Sequence, residues 1–394
     1  MTSLDPRQPL NPDPRAQSAD LDARRQPAGS GRPTGPRRLT RADLDALPSY
    51  VPGRNPTDLA RDLGLSEAIK LASNEVPYGP LPGVVEAVAE AAAGVHRYPD
   101  SGVVALRAAL AERYGVPADR VATGCGSVAL AENLVRATCL PGDEVLYSWR
   151  SFEAYPIIAA TSGATSVRVP NNARHGHDLA AMAAAVTDRT RLVLVCNPNN
   201  PTGTSLRRAE LDRFLADMPD DVLIVLDEAY REFVTDPEVP DGLAVYGDRP
   251  NVVVLRTLSK AWGLAGLRIG FLVAAPEVAA AVRKVVTPFS TSMAAQAGAL
   301  AALRQEEEVR RRCDLVIAER ERVGEALRKL VPEVPDSQAN FVWLPLGDRS
   351  AAFAAACEAR GIIVRPFQGD GVRVTIGTPA ENDTFLAAAE AALA

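Results

Sequence analysis

The sequence predicts an α/β fold: three layers around a mostly parallel central sheet, with a smaller α+β domain after it. Three observations predict it. Continuous Val-, Leu- and Ile-rich runs recur between residues 119 and 274, and helical patterns separate most of them. Runs that are apolar at every position read as strands buried on both faces, as parallel strands between helix layers are. Near residue 285 the pattern gives way to one long charged helix followed by short strands.

In chain order, residues 1–40 are rich in Pro, Arg, Gly and Asp and poor in large apolar residues. Such a segment cannot bury enough surface to offset chain entropy, which predicts a disordered tail. Residues 41–75 are read as an arm joining the small domain, 76–285 as the large domain and 286–394 as the small C-terminal one. Helical patterns cover 84–95, 103–115 and 126–138, and DRVATG (119–124) is a short strand. Strand-like runs follow at 144–149, 191–196, 222–227, 251–257 and 268–274. Residues 304–330 read as one charged helix, after which FVWLPL, IIVRPF and VRVTIG are short strands, with a helix around 350–360. There is no internal repeat.

The chain has 394 residues and a formal net charge of -6, which argues against a nucleic-acid partner because phosphate must be offset by basic surface. No apolar run approaches the ~20 residues of a membrane helix, and no apolar leader stands at the N-terminus, so no membrane role is expected. The five cysteines are widely spaced and unpaired in pattern, which predicts reduced thiols and a cytoplasmic setting. His175 and His177 sit as HGH in a polar loop with no set of thiol or carboxylate ligands apparent around them, so no metal is expected.

Open α/β sheets bind ligands at the carboxyl ends of their strands. Here those ends deliver Gly126-Ser127, then NPNNPTG (197–203), then Asp227-Glu228-Ala229-Tyr230, then LSKAWGLAGLRIG (258–270). Together these suit a phosphorylated pyridine aldehyde. Lys260 can condense with the aldehyde. Asp227 can keep the pyridine nitrogen protonated, and Asn200 and Tyr230 can donate to the ring's phenolic oxygen. The helix start at Gly126-Ser127, the hydroxyls of Thr257 and Ser259 and the fork of Arg268 can bind the phosphate. Each feature alone has a commoner reading, as a turn, a cap or a surface charge; their order and spacing carry the weight.

NPNNPTG, DEAY and LSKAWGLAGLRIG resemble the signatures of fold-type I aminotransferases that use pyridoxal 5'-phosphate (PLP). Within these the chain is similar to the histidinol-phosphate aminotransferase branch, which SNEVPYGP (73–80), HRYPD (96–100), SQANFVWL (337–344) and VRVTIGTP (372–379) also match. The resemblance implies the three-layer PLP-dependent transferase fold, with Lys260 as cofactor lysine and general base. It also implies a homodimer with composite sites. Phe152 would stack on the cofactor, Tyr98 would reach the phosphate in the neighbouring subunit, and Arg373 would bind the substrate α-carboxylate. Tyr50, Phe289 and Arg365 complete the expected substrate contacts.

Two features lean towards an aromatic donor, with 2-oxoglutarate as the acceptor implied by the family. GCGSVAL with WRSFEAYP (149–156) is similar to actinobacterial aromatic aminotransferases, and VTPFSTS (286–292) places Phe289 where many histidinol-phosphate enzymes have Tyr. Against this, Arg365 and Arg373 could together hold a substrate phosphate, so histidinol phosphate stays the alternative donor. A nicotinamide enzyme is a further rival, because residues 124–129 match a loose glycine fingerprint; the acidic residue it needs at the next strand's end is missing. A PLP decarboxylase shares the motifs. A PLP-sensing transcription regulator would need a DNA-binding domain that residues 1–40 are too short to form.

Overall fold

A computed structural model describes residues 39–41, 45, 47 and 54–393. The expected tail lies almost wholly outside the described residues, and Tyr50 lies outside them too. The architecture is that of the unit spanning residues 46–394. Its strands are β1 (Ile69–Lys70), β2 (Val121–Gly124), β3 (Glu144–Trp149), β4 (Thr165–Pro170), β5 (Thr190–Cys196) and β6 (Leu223–Asp227). They continue as β7 (Val252–Thr257), β8 (Gly270–Val273), β9 (Phe341–Leu344), β10 (Ile362–Ile363), β11 (Arg365–Phe367) and β12 (Gly371–Thr375).

Seven strands form the main sheet, in the order β2-β8-β7-β6-β5-β3-β4. β4, β3, β5, β6 and β7 pair in parallel, whereas β8 runs antiparallel to both β7 and β2. Side chains alternate between the faces of a strand, and both faces here are apolar. Val145, Leu192, Leu194, Val225 and Val253 pack with helices Gly126–Thr138, Ala154–Thr161 and Pro276–Val285. Leu146, Val193, Val195, Ile224 and Val254 pack the other way, on helices Leu179–Ala184 and Arg208–Asp217. Burying one such side chain contributes about 1.5–3 kcal/mol, which is why apolar residues fill most of these strands.

Two departures from the sequence reading appear. β4 went unrecognised, because it is an edge strand with a single buried position and pairs only with β3. β8 looked like another buried parallel strand, but a strand's direction leaves no trace in a run such as GFLV.

β11, β12 and β9 make a separate antiparallel sheet, and β1 pairs in parallel with β10. The long helix Glu306–Leu330 places Glu306, Glu307 and Glu308 in its first turn and Arg328 and Lys329 in its last, complementing the helix dipole. It buries Val309, Cys313, Val316, Val323 and Leu327, at three-, four- and seven-residue spacings, against β9, β12 and helix Pro379–Leu393. Among the described residues, no helix is long and apolar enough to cross a membrane.

Candidate active site

Parallel β5, β6 and β7 end at one edge of the sheet, and their registers set what meets there. Cys196 faces Asp227, and Asp227 faces Leu255. Gly270 of β8 pairs with Thr257 on one side and Gly124 on the other. A side chain at Gly270 would sit 2.5 Å from the Ser127 backbone nitrogen, so only glycine lets the helix start at Gly126 approach this edge.

A cavity of about 190 Å³ opens at this edge. Of the residues singled out from sequence, Ser127, Phe152, Asn200, Asp227, Tyr230, Thr257, Ser259, Lys260, Arg268, Arg365 and Arg373 all line it. A larger cleft of about 1160 Å³ lies elsewhere, between the 172–177 loop and the C-terminal part of helix Glu306–Leu330. It holds mixed charges but no lysine, so volume alone does not mark the site.

Lys260 follows β7, and its Nζ donates to the Ser73 carbonyl at 2.9 Å. Burial, then the Arg373 guanidinium, lower its pKa to about 7, and Arg268 adds to the effect. An amine so placed is partly unprotonated near neutral pH and can act as a nucleophile or a base.

Asp227 is buried at the end of β6. The Tyr155 hydroxyl donates to its Oδ2 at 2.7 Å, while its Oδ1 is buried without a partner. Burial raises the carboxyl to about 6, against the lowering effect of the Tyr155 hydroxyl and the Ala229 N–H. A buried carboxylate oxygen without a donor is costly, and a pyridinium N–H would satisfy it. Neighbouring Glu228 points to the opposite face, as strand alternation requires. There Arg256 donates to it at 2.7 and 3.1 Å, and the Gly242 N–H at 2.7 Å.

Asn200 Oδ1 accepts from Arg373 Nη1 at 2.6 Å, which leaves the amide N–H groups as its donors in the cavity. The Tyr230 hydroxyl accepts from Asn74 Nδ2 at 2.8 Å and keeps its own hydrogen to donate. Burial raises the pKa of this phenol, which keeps it protonated. Both groups therefore suit an acceptor such as a ring phenolate.

The helix Gly126–Thr138 begins without a side-chain cap. Its first N–H groups and dipole make an anion site. Gly126 has φ +83°, and a side chain there would meet Arg268 Nη2 at 2.6 Å. The cradle is thus shaped by glycine and bounded by the guanidinium, with Ser127, Thr257 and Ser259 beside it. An orphaned carboxylate oxygen, a lysine of lowered pKa and an anion cradle in one cavity fit PLP.

Arg373 is buried, donates to the Ala72 carbonyl at 2.5 Å, and lies 5.5 Å from the Phe341 ring and 5.8 Å from the Phe367 ring. Arg365 donates to Glu153 at 2.9 Å. Tyr98 and Phe289 do not reach this cavity within the chain. They stack on each other with ring centroids 4.5 Å apart, and Tyr98 is 81 % exposed. Phe289 instead lines a second cavity beside Asp100, Arg107 and Arg283. His177, a weak metal candidate in sequence, is buried with Nε2 2.7 Å from the Cys196 carbonyl. Sequence reasoning assigned no role to Ser73, Asn74, Glu153 or Tyr155. Tyr155 had one usable signal, because a buried tyrosine hydroxyl must find a partner.

The nicotinamide reading fails on topology as well. It needs the strand after the glycine turn to lie beside the first, and here four strands, β8, β7, β6 and β5, separate β2 from β3.

The sequence matches the family "Aminotransferase class I and II" over residues 66–388. The aromatic amino acid aminotransferases of Streptomyces avermitilis and Streptomyces coelicolor are each 58 % identical to it over 350 residues, 89 % of this chain and 96 % of theirs. That of Thermobifida fusca is 55 % identical over 349 residues, 89 % of this chain and 96 % of its own. Among solved structures, histidinol-phosphate aminotransferase from Sinorhizobium meliloti in complex with PLP superposes with a TM-score of 0.80 at 29 % identity, covering 90 % of this chain and 97 % of that one. N-succinyldiaminopimelate aminotransferase from Mycobacterium tuberculosis shares the fold, with a TM-score of 0.73 at 24 % identity, covering 90 % of this chain and all of that one. With the site's geometry and these likenesses together, the chain belongs to the class I and II aminotransferases, PLP-dependent transaminases of fold type I.

Proposed function

We propose that this enzyme transfers the amino group of phenylalanine, tyrosine or tryptophan to 2-oxoglutarate, giving an arylpyruvate and glutamate. The observation that carries the chemistry is the pairing, in one cavity, of Lys260 with a pKa near 7 and Asp227 with an orphaned buried oxygen. The donor class rests on the Streptomyces aromatic aminotransferases at 58 % identity, against 29 % for the Sinorhizobium histidinol-phosphate enzyme.

Bound PLP supplies an electron sink for the negative charge that develops at the donor's α-carbon. The amine of Lys260 takes the α-proton and delivers it again on the way to product. Asp227 holds the pyridine nitrogen protonated, and Asn200 and Tyr230 donate to the ring's phenolic oxygen. Gly126, Ser127, Thr257, Ser259 and Arg268 bind the phosphate, Phe152 covers the ring, and Arg373 holds the donor's α-carboxylate.

The same reading makes the enzyme a cytoplasmic homodimer, in which exposed Tyr98 reaches the partner's cofactor phosphate and Phe289, stacked on it, borders the donor. Residues 76–285 then act as the cofactor-binding domain and 286–394 as the small domain. Residues 41–75 join the latter, a division that the pairing of β1 with β10 supports.

The test is isotopic. Phenylalanine labelled with heavy nitrogen, supplied with 2-oxoglutarate, must give phenylpyruvate and labelled glutamate in equal amounts. Glutamate that stays unlabelled overturns the reading.

A further inference from the structure

Glu153 has no part in the mechanism above, yet it faces the same cavity. It occupies the cap position of helix Ala154–Thr161, where an acidic side chain ordinarily accepts from the first N–H groups. It makes no such bond. Its Oε2 instead accepts from Arg365 Nη2 at 2.9 Å, with both side chains largely covered, at 31 % and 16 % exposure.

Arg365 and Arg373 are direct cross-strand partners on β11 and β12. Directly opposed side chains leave one face of a sheet, and both guanidinium groups lie within 6 Å of the same Phe367 ring, at 5.9 and 5.8 Å. Two positive charges therefore meet at this end of the cavity, and Glu153 sets one negative charge against that of Arg365. Lowering the positive charge by one in this way costs a ligand in proportion to its own charge, so a carboxylate, which bears one negative charge, loses less than a dianion. A phosphate monoester bears close to two at neutral pH and loses more.

We infer that Glu153 is a specificity-determining charge filter: by engaging Arg365, it matches the anion end of the cavity to a monoanionic carboxylate and sets it against a dianionic phosphate. Discrimination then comes from a built-in repulsion as much as from attraction to the favoured ligand. The inference rests on the reading of this cavity as an amino-acid site, and it deepens that reading by naming the residue that rejects phosphate-bearing donors.

The test uses two unreactive ligands that share an aryl chain, 3-phenylpropanoate and benzyl phosphate, the second a dianion at neutral pH. Their binding to the PLP-loaded enzyme is measured by calorimetry, independently of turnover. In the parent the carboxylate binds more tightly. Glu153→Gln keeps an oxygen for Arg365 but removes the charge, and is expected to shift the ratio of dissociation constants towards the phosphate by about tenfold or more. Glu153→Asp keeps the charge and is expected to keep the parent's preference. A Gln variant within about threefold of the parent ratio, or an Asp variant that shifts as far as Gln, overturns the filter. Glu153→Ala gives the same readout if the Gln variant does not fold. Failure of the parent to transaminate phenylalanine would instead overturn the functional proposal, and the binding ratio would still report on Glu153.

Discussion

Replacing Tyr155 by Phe removes one hydroxyl from a fully buried side chain and keeps the ring, which packs 5.6 Å from that of Phe152. The lost group is the donor to Asp227 Oδ2. A hydrogen bond to a charged group contributes about 1.5–3 kcal/mol, and one pKa unit corresponds to about 1.4 kcal/mol, so the carboxyl should rise by about one to two units. Asp227 already stands at about 6, because burial penalises its charge. In the variant it would hold its proton across the neutral range, and a protonated acid cannot keep the pyridine nitrogen protonated. The assay is PLP binding to apoprotein, followed by tryptophan fluorescence across a pH series. The acid limb of binding should move up by about one to two pH units, and kcat/KM at neutral pH should fall by about tenfold or more. An acid limb that stays where the parent's lies would refute the role given to the Tyr155–Asp227 bond.

Other consequences can be measured alongside. Lys260→Ala should abolish steady-state transamination while PLP still binds; appreciable turnover by that variant would remove Lys260 from the mechanism. Because Lys260 must lose its proton to attack an aldehyde, the rate at which PLP loads the apoprotein should rise with pH through about 7, and a limb near the ordinary value of 10.5 would contradict the site's electrostatics. Asp227→Asn should abolish useful activity yet stabilise the apoprotein. A carboxyl raised from 3.8 to about 6 on folding contributes stability that is fully present below its unfolded pKa and lost as pH rises through the folded value. Removing it should therefore add up to about 3 kcal/mol near neutral pH and almost nothing below pH ~4, and equal melting temperatures at both pH values would argue against a buried charge. Gly126→Ala forces a side chain into a left-handed conformation 2.6 Å from Arg268 Nη2. Strain of about 1–2 kcal/mol there should weaken PLP binding roughly tenfold, and unchanged affinity would move the phosphate elsewhere.

The core of this fold was legible because its strands are buried on both faces. Leu192 to Val195 are fully buried, and each carries a large apolar side chain. Edge strand Thr165–Pro170 broke that pattern with Arg168 and exposed positions, so nothing in its composition marked it. Strand direction was invisible, and β8 shows it. At the site, Asn200, Asp227, Tyr230 and Lys260 stood out because polar residues at the ends of apolar strands have few structural reasons to be there. Tyr155 stayed hidden inside a helix, where an aromatic residue reads as core until its hydroxyl is placed against Asp227. Glu153 stayed hidden for a related reason. Its position at a helix start suggests a cap, and only the fold brings Arg365 to it across 212 positions of sequence. Tyr98 and Phe289 show the limit from the other side, since a single chain brings them to each other and not to Lys260.

The central claim is the choice of donor, and a side-by-side kcat/KM for L-phenylalanine, L-tyrosine and L-histidinol phosphate, with PLP and 2-oxoglutarate present, tests it most directly. Each tenfold preference reports about 1.4 kcal/mol of differential transition-state binding. The account predicts that the aromatic amino acids win by at least about tenfold. A preference for histidinol phosphate would contradict it, and would make Arg365 and Arg373 a clamp for substrate phosphate.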